Sequence, residues 1–249
     1  MLSISRLSKS FGGVQALRNI DISVEAGMIY GIIGPNGAGK TTLFNIVTGV
    51  VPSSSGTIRF GDFNITELQA HQRSRVGISR TFQNIRLFGS LSVLDNVLVG
   101  QSSLTECGAR SMLPIVNSRR EKDLRQDAEE FLALFGLYEV RHRYAKELPY
   151  ADQRRVELAR ALSAHPRLLL LDEPTAGMNE EESAELAAEI RKMSRPDRII
   201  LLIEHDMSVI MSLSQRIAVL NFGELIGEGP PEQIKADPRV IEAYLGRED

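Results

Sequence analysis

The chain has 249 residues, 43% of them hydrophobic and 24% charged, with 29 basic against 32 acidic side chains and a formal net charge of −3. This mix excludes collagen-like, coiled-coil and largely disordered chains, offers no global basic field for nucleic acid, and at this length supports one or two domains with a substantial core. The single cysteine, Cys107, excludes an internal disulfide and fits a reducing compartment.

Residues 1–12 mix Ser, Arg and Lys with isolated apolar residues, unlike the apolar stretch of an export signal. Residues 20–24 alternate apolar and polar side chains, as a half-buried strand does. Residues 28–33 form an apolar, β-branched run, followed by a glycine-rich loop and a helical stretch at 40–47. Short strands are predicted at 57–60 and 76–79. Ser92 and Asp95 resemble a capping box before Val97. From about Leu87 to His165 there is almost no strand signal, so a helical block is predicted between two strands of an α/β core. Its polar stretch, 101–126, is expected to be a loop or an irregular helix.

Residues 168–171 and 199–203 are continuously apolar, as strands covered on both faces of a parallel sheet are. Both runs are far shorter than the ~20 residues of a membrane span, and the chain is expected in the cytoplasm. Asn179 with Glu182 forms a second capping box, opening a helix over 180–193. Residues 217–221 and 225–227, bent around Gly223, read as a hairpin. No internal repeat is present.

Gly34-Pro35-Asn36-Gly37-Ala38-Gly39-Lys40-Thr41 fits the phosphate-loop pattern G-x-x-x-x-G-K-[ST] at every fixed position. Its glycines let the backbone N–H groups converge on phosphate oxygens. Lys40 is placed to reach the β- and γ-phosphates, and Thr41 to ligate Mg²⁺. Here the motif follows a predicted strand and opens a predicted helix. Asp172 and Glu173 end the buried run 168–171, and ligands of open parallel sheets bind at such carboxyl ends. Asp172 suits positioning of Mg²⁺, and Glu173 suits polarising the water that attacks the γ-phosphate.

These residues resemble the ATP-binding subunit of an ABC (ATP-binding cassette) transporter, over essentially the whole chain. The resemblance implies an α/β fold with a P-loop NTPase (RecA-like) core. Residues 1–86 and 166–249 would supply that core and an antiparallel β subdomain, and residues from about 87 to 165 an inserted α-helical subdomain. All belong to one nucleotide-binding domain. It implies ATP and Mg²⁺ as ligands, with Thr42 joining the phosphate-binding residues. Gln83, in Arg80-Thr81-Phe82-Gln83-Asn84, resembles the glutamine that touches Mg²⁺ and senses the transmembrane subunit. His205, in Ile203-Glu204-His205-Asp206, resembles the histidine that bonds the γ-phosphate, and Phe11 the aromatic that stacks on adenine. Residues 174–179 resemble the loop that touches the opposite subunit, with Ala176-Gly177-Met178-Asn179 where the family usually has Ser-Ala-Leu-Asp.

The signature loop departs from the family pattern. Where the family has Leu-Ser-Gly-Gly-Gln, this chain has Leu148-Pro149-Tyr150-Ala151-Asp152, followed by Gln153-Arg154-Arg155. Pro149 offers neither a hydroxyl nor an N–H, Tyr150 is bulky, and Ala151 adds a methyl group. In the family that loop caps the ATP held by the partner's phosphate loop. The departure therefore implies a heterodimer with two unequal sites, a homodimer being the alternative.

A narrower resemblance is to the branched-chain amino-acid importer branch, which tends to carry Leu-Ala-Tyr-Gly-x-Gln-Arg-Arg at the signature. Tyr150, Gln153, Arg154 and Arg155 fit it; Pro149 and Ala151 do not. The stretches 80–88 and 203–207 and the tail 237–246 are also similar. This implies two transmembrane permease subunits, a second ATP-binding subunit, an external solute-binding protein acting indirectly, a place on the inner face of the cell membrane, and no nucleic acid. Urea and short-amide importers look similar, and soluble ABC proteins and non-hydrolysing regulatory cassettes are the other classes in play. The absence of sustained heptads or a second cassette argues against the former; Glu173 and His205 argue against the latter. The charge run 119–123 reads as a solvated helix face, Cys107 has no redox or metal role, and the tail from Pro230 packs on the core or forms an interface.

Overall fold

The computed structural model describes residues 1–101 and 114–245, without the side chains of 114–120 and 245. Cys107, Gly246 and the side chains of Arg119 and Arg120 lie outside the described residues. The chain opens with a hairpin, β1 (Leu2–Phe11) and β2 (Val14–Val24), then β3 (Ile29–Ile33) and α1 (Lys40–Val47). There follow β4 (Ser55–Phe60), β5 (Phe63–Asn64), α2 (Ala70–Arg75) and β6 (Ile78–Arg80). Three helices come next, α3 (Val93–Gly100), α4 (Pro114–Leu134) and α5 (Tyr150–Leu162). The remainder is β7 (Leu168–Asp172), α6 (Glu180–Lys192), β8 (Ile199–Ile203), α7 (Met207–Leu213), β9 (Arg216–Asn221), β10 (Glu224–Gly229), α8 (Pro231–Ala236) and α9 (Pro238–Leu245).

Two sheets result, one antiparallel in the order β2-β1-β4-β5 and one in the order β10-β9-β3-β8-β7-β6. In the second, β9, β3, β8, β7 and β6 run parallel and β10 closes the edge antiparallel. Every residue of β3, β7 and β8 is buried. The reason is the two-residue period of a strand in a sheet covered on both sides. Leu168 and Leu170 pack with the antiparallel sheet and α1 on one face. Leu169 and Leu171 pack with α3, α5 and α6 on the other. Each such leucine contributes about 1.5–3 kcal/mol. A polar residue on either face would be unpaired, so neither face alternates.

The register brings the chemistry together. Ile203 stands opposite both Ile32 and Asp172, so β3, β8 and β7 end abreast. The loop after β3, Glu173 after β7 and His205 after β8 therefore open at one edge. This is the carboxyl edge where ligands of such sheets bind.

The predicted helix at 40–47 and strand at 199–203 have the observed bounds. Asn179 and Glu182 form the full reciprocal capping box. Ser92 caps α3 by accepting from the Asp95 N–H, but its hydroxyl, not its N–H, donates to the Asp95 carboxylate. The hairpin around Gly223 is a two-residue turn with Phe222 and Gly223 both at positive φ, 45° and 79°, the backbone of a type I′ turn.

Other expectations need correction. The mixed N-terminus is β1, whose alternation is interrupted by register shifts around Arg6, a residue at φ 47°; a bulge of this kind hides the period of a strand. The strand expected at 76–79 begins two residues later, because Val76 caps α2, a helix the sequence did not suggest. Within the stretch read as a loop or irregular helix, residues from Pro114 onward are continuous helix, with proline at the first position, where its missing N–H costs nothing.

Candidate nucleotide site

The loop between β3 and α1 is held open by its glycines. Gly34 has φ 151°, and a Cβ there would lie 2.0 Å from the Leu220 carbonyl oxygen. Gly39 has φ 105°, and a Cβ there would lie 2.7 Å from the Ala16 carbonyl oxygen. Any side chain would displace β9 or β2 from the loop. The β9–β10 turn also fastens it, the Gly223 N–H donating to the Ala38 carbonyl at 3.0 Å.

Lys40 is buried, and its ammonium donates to the carbonyls of Gly34 and Pro35 at 2.6 and 3.1 Å. Burial lowers its pKa from the ordinary 10.5, while the Glu173 and Asp172 charges oppose the shift. A cavity of about 320 Å³ lies over the loop, with Ala16, Thr41, Thr42, Gln83, Glu173 and His205 in its walls.

Glu173 is the centre of the polar contacts. Gln83 Nε2 donates to Glu173 Oε2 at 2.8 Å, and His205 Nε2 meets Glu173 Oε1 at 2.8 Å. Its backbone sits at φ 49°, left-handed for a residue with a side chain, and its N–H donates to the Ile203 carbonyl at 2.9 Å. Such positions cost of order 1–3 kcal/mol and cluster at functional sites.

Of the residues expected at the site, Gly34, Pro35, Phe11 and Asp172 do not line the cavity. Phe11 sits at the β1–β2 turn, half exposed, with the Lys9 ammonium 4.8 Å from its ring centre. Asp172 lies behind the site, 3% exposed and ion-paired with Arg80 at 2.7 Å. Arg80 itself is fixed by Asn45 at 2.6 Å and lies over the rings of Phe44 and Phe82. Two groups were not picked out from sequence, Arg80 and Glu204. A buried carboxylate, Glu204 accepts from the Thr175 N–H at 2.9 Å, the Thr175 hydroxyl at 2.8 Å and the His205 N–H at 3.2 Å. It thus pins the turn after Glu173 to the end of β8.

Burial raises the Glu204 carboxyl above the ordinary glutamate range; the hydrogen bonds from Thr175 and His205 oppose the rise and the Glu173 charge adds to it. Stability from such a group is complete below the ordinary value and is lost as pH climbs through the raised one. Glu204→Gln keeps an acceptor oxygen without the charge. Its amide gives up one acceptor, on the Thr175 or the His205 side, at every pH, but it cannot ionise, so its thermal midpoint relative to the parent is expected to improve as pH rises above the ordinary glutamate value. Thermal melts across pH check this; a difference between variant and parent that does not change with pH would contradict it.

In the signature loop, Pro149 precedes α5 as its cap residue and supplies no side-chain bond. Ala151 is buried within its own chain at 8% exposure, so its methyl is not on the open surface. The departures that remain at the surface are Pro149 and Tyr150.

Among the described residues no group of three or more His, Cys, Asp or Glu is arranged to hold a metal. The side-chain oxygen donors in the cavity walls are the Thr41 and Thr42 hydroxyls, the Asn36 and Gln83 amides and the Glu173 carboxylate, hard donors of the kind that suit Mg²⁺, which keeps much of its own water shell. Again among the described residues, no helix is long and apolar enough to cross a membrane.

A glycine loop between a buried parallel strand and a helix, with a lysine inside it and a carboxylate facing it, defines a P-loop nucleoside triphosphatase. Residues 17–176 match the model of the ABC transporter family, and residues 224–249 match that described as the branched-chain amino acid ATP-binding cassette transporter. The chain is 43% identical to the high-affinity branched-chain amino acid transport ATP-binding protein LivG of Escherichia coli K12, covering 99% of this chain and 98% of the relative. It is 41% identical to BraF of Pseudomonas aeruginosa, with the same coverage. An ATP-binding cassette of an ABC transporter solved in its ADP conformation superposes with a TM-score of 0.86 at 29% identity, covering 99% of both chains. The chain belongs to the ABC transporter family, as an ATP-binding cassette with ATPase activity.

Proposed function

We propose that this chain is the ATP-hydrolysing subunit of an importer for branched-chain or related amino acids, seated on the inner face of the cell membrane. The observation that carries the solute class is the near-full-length identity to LivG and BraF, together with the family match of the tail. The chain is a single nucleotide-binding domain, with residues from about 87 to 165 as its helical subdomain.

In this reading the loop N–H groups and the positive end of α1 receive the phosphates. Lys40 exchanges its two loop carbonyls for β- and γ-phosphate oxygens. Glu173 takes the proton of the attacking water, and His205 bonds the γ-phosphate. Thr41 and Gln83 hold Mg²⁺, with Asp172 behind them, and when bound the ion offsets charge building on the phosphates. Each carboxylate oxygen of Glu173 takes one bond, from Gln83 and His205, which leaves a further lone pair on each to accept from water. Phe11 carries the adenine.

A groove of about 370 Å³ runs between α1 and α2 on one side and α3 and α5 on the other, with Val50, Phe82, Val99 and Arg160 in its walls. It adjoins Gln83 and suits a segment of a permease subunit. Pro149 and Tyr150 favour a second, different ATP-binding subunit that supplies an intact signature.

Removing this chain's gene is expected to abolish uptake of labelled leucine, isoleucine or valine at micromolar concentration. Unchanged uptake of these, with loss of urea or short-amide uptake, would move the assignment to that importer class. Two polytopic membrane proteins and a second cassette should co-purify with the chain.

A further inference from the structure

The first turn of α5 is tied to Glu173 by a closed ring of contacts. The Tyr150 hydroxyl donates to the Ala176 carbonyl at 3.0 Å, and the Ala176 N–H donates to the Glu173 carbonyl at 3.2 Å. The Glu173 carboxylate accepts from Gln83 Nε2. The Gln83 carbonyl accepts from Arg154 at 2.7 Å, and Arg154 donates to the Tyr150 oxygen at 3.2 Å, closing the ring.

Arg154 is the anchor. It is fully buried, paired with Glu157 at 2.8 Å, and also donates to the Phe82 carbonyl at 2.8 Å. A buried guanidinium with these fixed acceptors cannot shift without moving the 82–83 backbone. Tyr150 is half exposed, but its ring lies against Gly177, where a Cβ would sit 3.4 Å from Tyr150 Cε1.

We propose that Tyr150 and Arg154 are positioning residues that couple the signature helix to the Gln83–Glu173 contact. Displacement of the α5 start is then relayed to the carboxylate through residues 174–178 and 82–83. In this chain the bulk at position 150 is a strut within the subunit, not only a defect facing a partner. The proposal rests on Glu173 as the group that activates water.

Tyr150→Phe keeps the ring against Gly177 and removes only the hydroxyl. In the complex of this chain with the second cassette and the membrane subunits, it is expected to lower kcat for ATP by about 3- to 10-fold, what one hydrogen bond is worth, with KM for ATP changed less than about twofold. In a Gln83→Ala background, where the ring is already open, the same change should cost much less. Amide hydrogen exchange at residues 175–178 should speed up in Tyr150→Phe, while α6 stays as protected as before. An unchanged kcat, or an equal loss in both backgrounds, would overturn the coupling. If the parent complex hydrolysed no ATP, the reading of Glu173 would fail, and hydrogen exchange would still decide whether the hydroxyl holds the loop. Exchange unaltered by the substitution would then end the proposal.

Discussion

Glu173→Gln is expected to lower steady-state ATP hydrolysis by about 10²- to 10⁴-fold, the range for loss of a general base. Nucleotide affinity should stay within a few-fold of the parent. The substitution is nearly isosteric, and its amide oxygen can still accept from Gln83 Nε2, so the loops after β6 and β7 keep their contact. The left-handed backbone and its bond to the Ile203 carbonyl are also kept. What disappears is a group able to take a proton from water. Phosphate release and a nucleotide titration on the same preparation separate the two effects. Turnover above a tenth of the parent rate would remove Glu173 from that role.

Lys40→Ala should act one step earlier, on binding. The ammonium is desolvated and held by two backbone carbonyls, ready to be passed to phosphate oxygens. Charge-assisted bonds of this kind are worth about 1.5–3 kcal/mol each, so losing two predicts ATP affinity weaker by at least about 100-fold. The folded state loses less. Two carbonyls go without their donor, but a buried cation is removed as well. As pH rises, affinity in the parent should also begin to fall before pH 10.5 is reached, because burial lowers the lysine pKa in the empty site and bound phosphate would favour the charged form. Equilibrium titration with a fluorescent ATP analogue across pH checks both points. Undiminished affinity in Lys40→Ala would displace the loop as the phosphate site.

Much of this site is legible in the chain because its parts are local. The glycine loop is a contiguous motif, and its strand and helix carry their own periods. The runs 168–171 and 199–203 are apolar throughout because both faces are covered, which also marks Asp172, Glu173 and His205 as sheet-edge residues. What could not be read depends on partners distant in sequence. Arg80 looks like any surface arginine until β6 pairs with β7 and sets it beside Asp172, 92 residues away. Glu204 gains its meaning from Thr175. Tyr150 reads as a bulky intruder at a glycine position, and only the fold supplies the Ala176 carbonyl that receives its hydroxyl. β1 escaped notice because its bulge shifts the alternation partway along.

The left-handed backbone at position 173 separates durability from chemistry. That conformation costs a residue with a Cβ about 1–2 kcal/mol, and glycine almost nothing. A chain selected only to resist heat would carry glycine or asparagine there. Glutamate is the wrong residue for the turn and the right one for a proton, so stabilisation that scored backbone fit alone would edit out the working group first. In this cassette, a residue held in a left-handed conformation at the sheet edge is the one whose side chain the hydrolytic reading requires.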